Sequence, residues 1–160
     1  MMTSSEGIFS TIHFRPSQLA KMKKLSKTYA ILTQRPVHIS FEQRGDSSST
    51  IGKEPHLHIL QVTTTPAKDE NFIKNHFGNV SSDIVTKTKT PYLMADILFR
   101  YLRGFKKEYI EKPAIRAQTR KWIAREQLEP ISTRGITRRV RYGIPLSSYR
   151  SVLERSKLYA

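Results

Sequence analysis

Apolar and polar positions along the chain change period several times, and each change marks an element. Ile8 to Phe14 is rich in β-branched and aromatic residues and stops at Arg15-Pro16, the pattern of a strand. Ser17 is the expected N-cap of a helix in which Leu19, Met22, Leu25, Tyr29 and Leu32 recur at three- and four-residue steps, to about Thr33. Pro36 introduces a second strand, Val37 to Gln43, and a polar loop from Arg44 to Glu54 leads to a third, Pro55 to Thr64. Thr65-Pro66 opens a second helix with Phe72, Ile73 and Phe77 on its apolar side and Gly78 as its stop. Asn79 to Thr88 reads as a fourth strand, and Thr90-Pro91 begins a longer helix that runs to about Glu108. The order β-α-β-β-α-β-α predicts an α+β fold, an antiparallel β-sheet with flanking helices.

Charge changes the picture at the C-terminal end. The 160 residues carry 28 Lys and Arg against 13 Asp and Glu, a net charge of +15. Such an excess concentrates polyanions, with nucleic acid first and an anionic membrane surface second. Residues 1–112 hold 17 basic and 10 acidic side chains, whereas 113–160 hold 11 and 3. The boundary expected from this shift divides a domain at 1–112 from a basic, Arg-rich helical C-terminal extension at 113–160. Arginine predominates there, and its planar guanidinium suits phosphate and base stacking. Arg138, Arg139 and Arg141 are the expected DNA contacts, and Trp122 and Tyr142 are placed either to stack on unpaired bases or, for Trp122, to be buried. Lys21, Lys23, Lys24 and Lys27 read as a solvated helix face, and His76 as exposed. No apolar run approaches the roughly 18 residues needed to span a bilayer. The first residues lack the parts of a signal peptide. An intracellular location is expected, with cytoplasm and host nucleus not distinguished. The chain has no cysteine, so a metal must be held by imidazole and carboxylate.

Strand alternation supplies such a set. His56 and His58 share one face of the third strand, and His38, Ser40 and Glu42 share one face of the second. A His-x-His pair often serves only for hydrogen bonding or solvation. Here it interrupts an apolar strand, and antiparallel pairing of the two strands would bring Glu42 beside it. Two imidazoles and a carboxylate can bind a divalent ion and leave positions for substrate oxygens. Mg²⁺ or Mn²⁺ suits phosphate chemistry. His38 is either an alternative ligand or a hydrogen-bonded neighbour. His13, on the first strand, carries no expected role.

Phe41-Glu42-Gln43-Arg44-Gly45-Asp46 followed by Pro55-His56-Leu57-His58-Ile59-Leu60 resembles the core of the HUH endonucleases, replication initiators of rolling-circle and parvovirus-like replicons. The resemblance extends over the element order from Ile8 to about Ile110. It implies an RRM-like or ferredoxin-like sheet, the ligands Glu42, His56 and His58, and nicking of single-stranded DNA by a tyrosine on a following helix. The products would be a 5′-phosphotyrosine and a free 3′-hydroxyl. Tyr101 shares an inward stripe with Ile97, Leu98 and Phe105 and is the expected nucleophile, with Tyr92 and Tyr109 as alternatives. Lys106 or Lys107 would assist it, and Arg100 and Arg103 would hold flanking phosphates. The family's lysine one helical turn after the tyrosine is not matched, because Gly104 and Phe105 stand there.

The expected partners are single-stranded DNA or a DNA hairpin origin, a separate helicase, and a further copy of the chain in a homo-oligomer; no membrane partner is expected. A non-catalytic, basic nucleic-acid-binding protein on the same sheet would explain the charge equally and need no metal.

Overall fold

The computed structural model describes residues 7–43, 55–102 and 113–142, with the backbone alone at 100, 101, 113–115 and 142. The first strand, β1 (Gly7–His13), ends where Arg15-Pro16 turns the chain. Pro16 to Gln18 form a short 3-10 turn rather than the start of a Ser17-capped helix, and the Gln18 side chain reaches back to the Arg15 N–H at 3.0 Å. Helix α1 (Leu19–Leu32) buries Met22, Ser26 and Tyr29. Its expected stripe fails in the last turn: Leu32 is 59% exposed, because the helix runs past the core that buries Tyr29. Gln34 then takes a left-handed conformation (φ 54°) that ends the helix.

Strands β2 (Val37–Glu42) and β3 (His56–Val62) pair antiparallel, with Ser40 opposite His58 and Glu42 opposite His56. Helix α2 (Pro66–Phe77) starts on Pro66 and turns Ile73 and Phe77 inward, while Phe72 is 39% exposed. Strand β4 (Asp83–Lys89) begins later than the apolar pattern suggests. Val80 and Ser81 are held by the Phe77 carbonyl at 3.0 Å each, so these residues close the helix instead of opening the strand. Helix α3 (Pro91–Ala95), capped by the Thr90 side chain, passes into a π-helical segment, Asp96–Leu102.

Elements after residue 112 pack on the sheet or pair with it. Helix α4 (Pro113–Glu126) places Trp122 in the core, 2% exposed, and so settles its position as buried. The Lys23 ammonium, expected in a solvated row, donates to the Glu126 carbonyl at 2.9 Å and caps the end of α4. A short strand, β5 (Ile131–Ser132), pairs with β2, and Thr133 fastens it: its side chain and N–H both contact the Val37 backbone. Gly135, at φ 92°, then turns the chain into helix α5 (Ile136–Tyr142), a conformation that costs other residues about 1–2 kcal/mol.

The five strands form one antiparallel sheet in the order β4-β1-β3-β2-β5, and it is covered on both sides. On one face, Ile8, Ile12, Val37, Ile39, Leu57 and Ile59 pack with α1, α2 and Trp122. On the other, Leu60 and Val62 pack with Met94, Ala95, Leu98 and Phe99 above them and with Ile136 and Val140 of α5. The α+β antiparallel sheet with flanking helices expected from the pattern is the observed fold. Gly7 sits where α3 approaches β1: a Cβ there would collide with the Met94 side chain and lie 2.6 Å from the Gln61 carbonyl oxygen. Among the described residues no helix is long and apolar enough to cross a membrane.

Candidate metal centre

The second face of the sheet also carries polar groups, at the end of β2 and the start of β3. His56, His58, Leu60 and Val62 alternate onto it from β3, His38, Ser40 and Glu42 from β2, and Phe9, Thr11 and His13 from β1. The register places Glu42 against His56 and Ser40 against His58. Glu42 Oε2 lies 3.0 Å from His58 Nε2 and 3.4 Å from His56 Nε2. One donor atom from each of the three residues lies within 4.8 Å of the others. Ligands about 2.1 Å from an ion stand about 3.0 Å apart at adjacent octahedral positions and about 3.4 Å apart in a tetrahedron. The donor types suit a metal ion, the two separations from Glu42 match such a site, and Glu42, His56 and His58 are the residues that could hold it.

The surroundings of His58 suit a ligand. Its side chain is 6% exposed, its ring stacks on Phe9 at 4.9 Å, and its Nδ1 lies 3.1 Å from Thr11 Oγ1. Burial, and then the neighbouring His56, push its pKa down to about 3. The ring is thus neutral at physiological pH and one nitrogen keeps a lone pair. Thr11 serves either tautomer. With the proton on Nε2, that N–H donates to Glu42 and the threonine hydroxyl donates to Nδ1. With the proton on Nδ1, the threonine accepts and Nε2 is released for an ion.

His13 extends the cluster. Its ring lies 5.1 Å from that of His56, its Nδ1 is 3.5 Å from Asp83 Oδ2, and it is about half exposed at the rim. Neither Thr11 nor His13 was given a role by the sequence. The signal that finds them is the β1–β3 register, which sets Thr11 opposite His58 and His13 opposite His56. His38 lies on the same face but outside the cluster, with its Nδ1 3.1 Å from Ser132 Oγ. His76, expected at the surface, is half-buried between α1 and α2, bonded to the Leu25 carbonyl at 2.8 Å.

The other expected site residues divide by position. Arg138, Arg139 and Arg141 are exposed on α5, whose Ile136 and Val140 pack on the sheet face that bears the cluster. Arg100 and Tyr101 lie on the π-helical segment by their backbone. The helix expected to continue smoothly to Glu108 changes winding at Asp96, and its described inward positions are Met94, Ala95, Leu98 and Phe99. Arg103, Lys106, Lys107 and Tyr109 lie outside the described residues, and Tyr92 is 38% exposed on α3. No protein-family model matches the chain, and no curated protein or solved structure matches it either.

Proposed function

We propose that this chain is a metal-dependent endonuclease that nicks single-stranded DNA, as an initiator of rolling-circle-type replication. The observation that carries the reading is the convergence of Glu42, His56 and His58 on one sheet face, with Thr11 behind His58. Its resemblance to the HUH arrangement, noted above in the sequence, supplies the reaction type. A net charge of +15 supports a phosphodiester substrate over other ligands of such a site. The same donor types serve iron and zinc elsewhere, and the phosphoryl chemistry of the proposed reaction is the reason for assigning Mg²⁺ or Mn²⁺ here. A divalent ion held by the triad would polarise the scissile phosphate.

In this reading Tyr101 is the nucleophile. Its oxygen bonds to phosphorus, the P–O3′ bond breaks, and the proton lost by the phenol is balanced by the one gained at the 3′-oxygen. Lys106 favours the phenolate, and Arg100, Arg103 and Lys107 hold flanking phosphates. Support for this placement comes from the position of α3 over the cluster-bearing face and from the π-helical winding at Asp96–Leu102, a feature that recurs at functional sites. The expected result is Mn²⁺-dependent nicking of a labelled hairpin-bearing oligonucleotide and a covalent protein–DNA adduct, both absent in Tyr101→Phe. An undiminished adduct in that variant assigns the nucleophile elsewhere.

The charge alone also favours a second reading, a non-catalytic nucleic-acid-binding protein. Stabilisation of the fold by Mn²⁺ that disappears in His58→Ala separates the two, because the binding protein needs no ion.

A further inference from the structure

The chain presents two basic helical surfaces, and the sheet separates them. Lys21, Lys24 and Lys27 are exposed on α1, which packs on the Ile8–Ile12–Ile39 face. Arg138, Arg139 and Arg141 are exposed on α5, which packs on the opposite face through Ile136 and Val140. Long-range attraction treats the two sets alike, since each contributes three positive charges. Their placement relative to the metal centre differs. Val140 and Ile136 share a core with Leu60 and Val62, and Leu60 is the next residue after His58 on the same face of β3. Moreover, α5 is held in place: β5 pairs with β2 at His38 and Ile39, Thr133 bonds the Val37 backbone, and Gly135 provides the left-handed turn onto the face.

We infer that α5 is the backbone-binding track for the substrate strand, with Arg138, Arg139 and Arg141 contacting successive phosphates of single-stranded DNA beside the Glu42–His56–His58 centre. The identity of the ligand rests on the nicking reading, while the binding itself needs no metal. Arg138 and Arg141 lie three residues apart on one side of a helix anchored by Ile136 and Val140, and Arg139 flanks them. The α1 lysines lie on the far side of the sheet and serve only the general attraction.

The test is fluorescence anisotropy of a labelled single-stranded oligonucleotide of about 20 nucleotides, long enough to span more than one contact region. It is run with the full chain in EDTA at a series of salt concentrations. Each phosphate contact contributes about 0.7 to the slope of log K against log salt for a single strand. Arg138→Gln, Arg139→Gln and Arg141→Gln combined should lower that slope by about 2. Lys21→Gln, Lys24→Gln and Lys27→Gln combined, an equal charge change, should leave it within about 0.5, less than a single contact. The corresponding triple Arg→Lys variant keeps the slope, and the thermal transition of each variant confirms folding. Equal losses from the two glutamine triples, or a larger loss from α1, overturn the inference. Asymmetric binding with no covalent adduct would remove the nicking reading and leave the track standing, whereas adduct formation with symmetric binding losses would do the reverse.

Discussion

Replacing Thr11 by valine removes one hydroxyl and keeps the branching and volume of the side chain. The hydroxyl lies 3.1 Å from His58 Nδ1, so the substitution deletes the contact that orients the His58 ring. Without metal the lost hydrogen bond costs about 1 kcal/mol. With metal the effect has a second component, because outer-shell partners of a ligating histidine are worth about 10–100-fold in affinity. At free Mn²⁺ about 100 times the parent Kd, the ion stabilises the parent fold by about 2.7 kcal/mol. A Kd weakened about 30-fold leaves the ratio near 3 and the stabilisation near 0.8 kcal/mol. The metal-induced increment therefore falls by about 1.9 kcal/mol, or about 4–8 °C in Tm for a chain of this size. Differential scanning calorimetry of parent and Thr11→Val, each with and without Mn²⁺, measures the increment against each protein's own metal-free transition. An increment equal to the parent's, alongside a lowered metal-free Tm, would refute the role given to Thr11 and leave it a structural bond alone.

Further consequences follow from burial and close contact. His58 takes a proton near pH 6.5 when unfolded but only near pH 3 in the folded, metal-free protein, so the unfolded chain holds more protons between those values. Its contribution is fully present above about pH 6.5 and is lost on acidification at up to about 1.4 kcal/mol per pH unit. Urea melts of the parent and His58→Gln should therefore diverge in slope between about pH 6 and 4, the parent being steeper; parallel curves contradict the burial argument. Gly7→Ala drives a methyl into Met94 and the Gln61 carbonyl, and should cost about 1–3 kcal/mol in a denaturant titration, with no loss meaning that α3 lies further from β1 than described. Trp122→Ala should cost about 3–5 kcal/mol of stability; a small loss of stability with a clear fall in affinity for single-stranded DNA at fixed salt would make Trp122 a base-stacking residue.

The Glu42–His56–His58 cluster was legible because it depends on one local hairpin. Alternation puts His56 and His58 on one side, and the second strand ends on Glu42, so antiparallel pairing leaves little choice of register. Thr11 and His13 were not legible in the same way. Their place beside the histidines depends on the pairing of β1 with β3, across a sequence separation of 47 residues for Thr11 and His58. The change of winding at Asp96 was equally hidden, since one π-helical turn of seven residues leaves no period of its own in the apolar pattern. Helix α1 shows the opposite error: Leu32 continues the stripe beyond the core that the stripe serves. Arginine content drew attention to the C-terminal segment but said nothing of its attachment. A two-residue strand is too short for any pattern, and the Thr133 contacts and the Gly135 turn carry the information instead.

The most direct test of the metal centre is a crystal soaked in Mn²⁺ and measured near the manganese absorption edge. The account predicts an anomalous peak between the ends of β2 and β3, within about 2.0–2.3 Å of Glu42, His56 and His58, and its loss in His58→Ala. A parent crystal with no peak there, while the Glu42–His58 hydrogen bond persists at saturating Mn²⁺, would contradict it and leave the cluster a buried hydrogen-bond network.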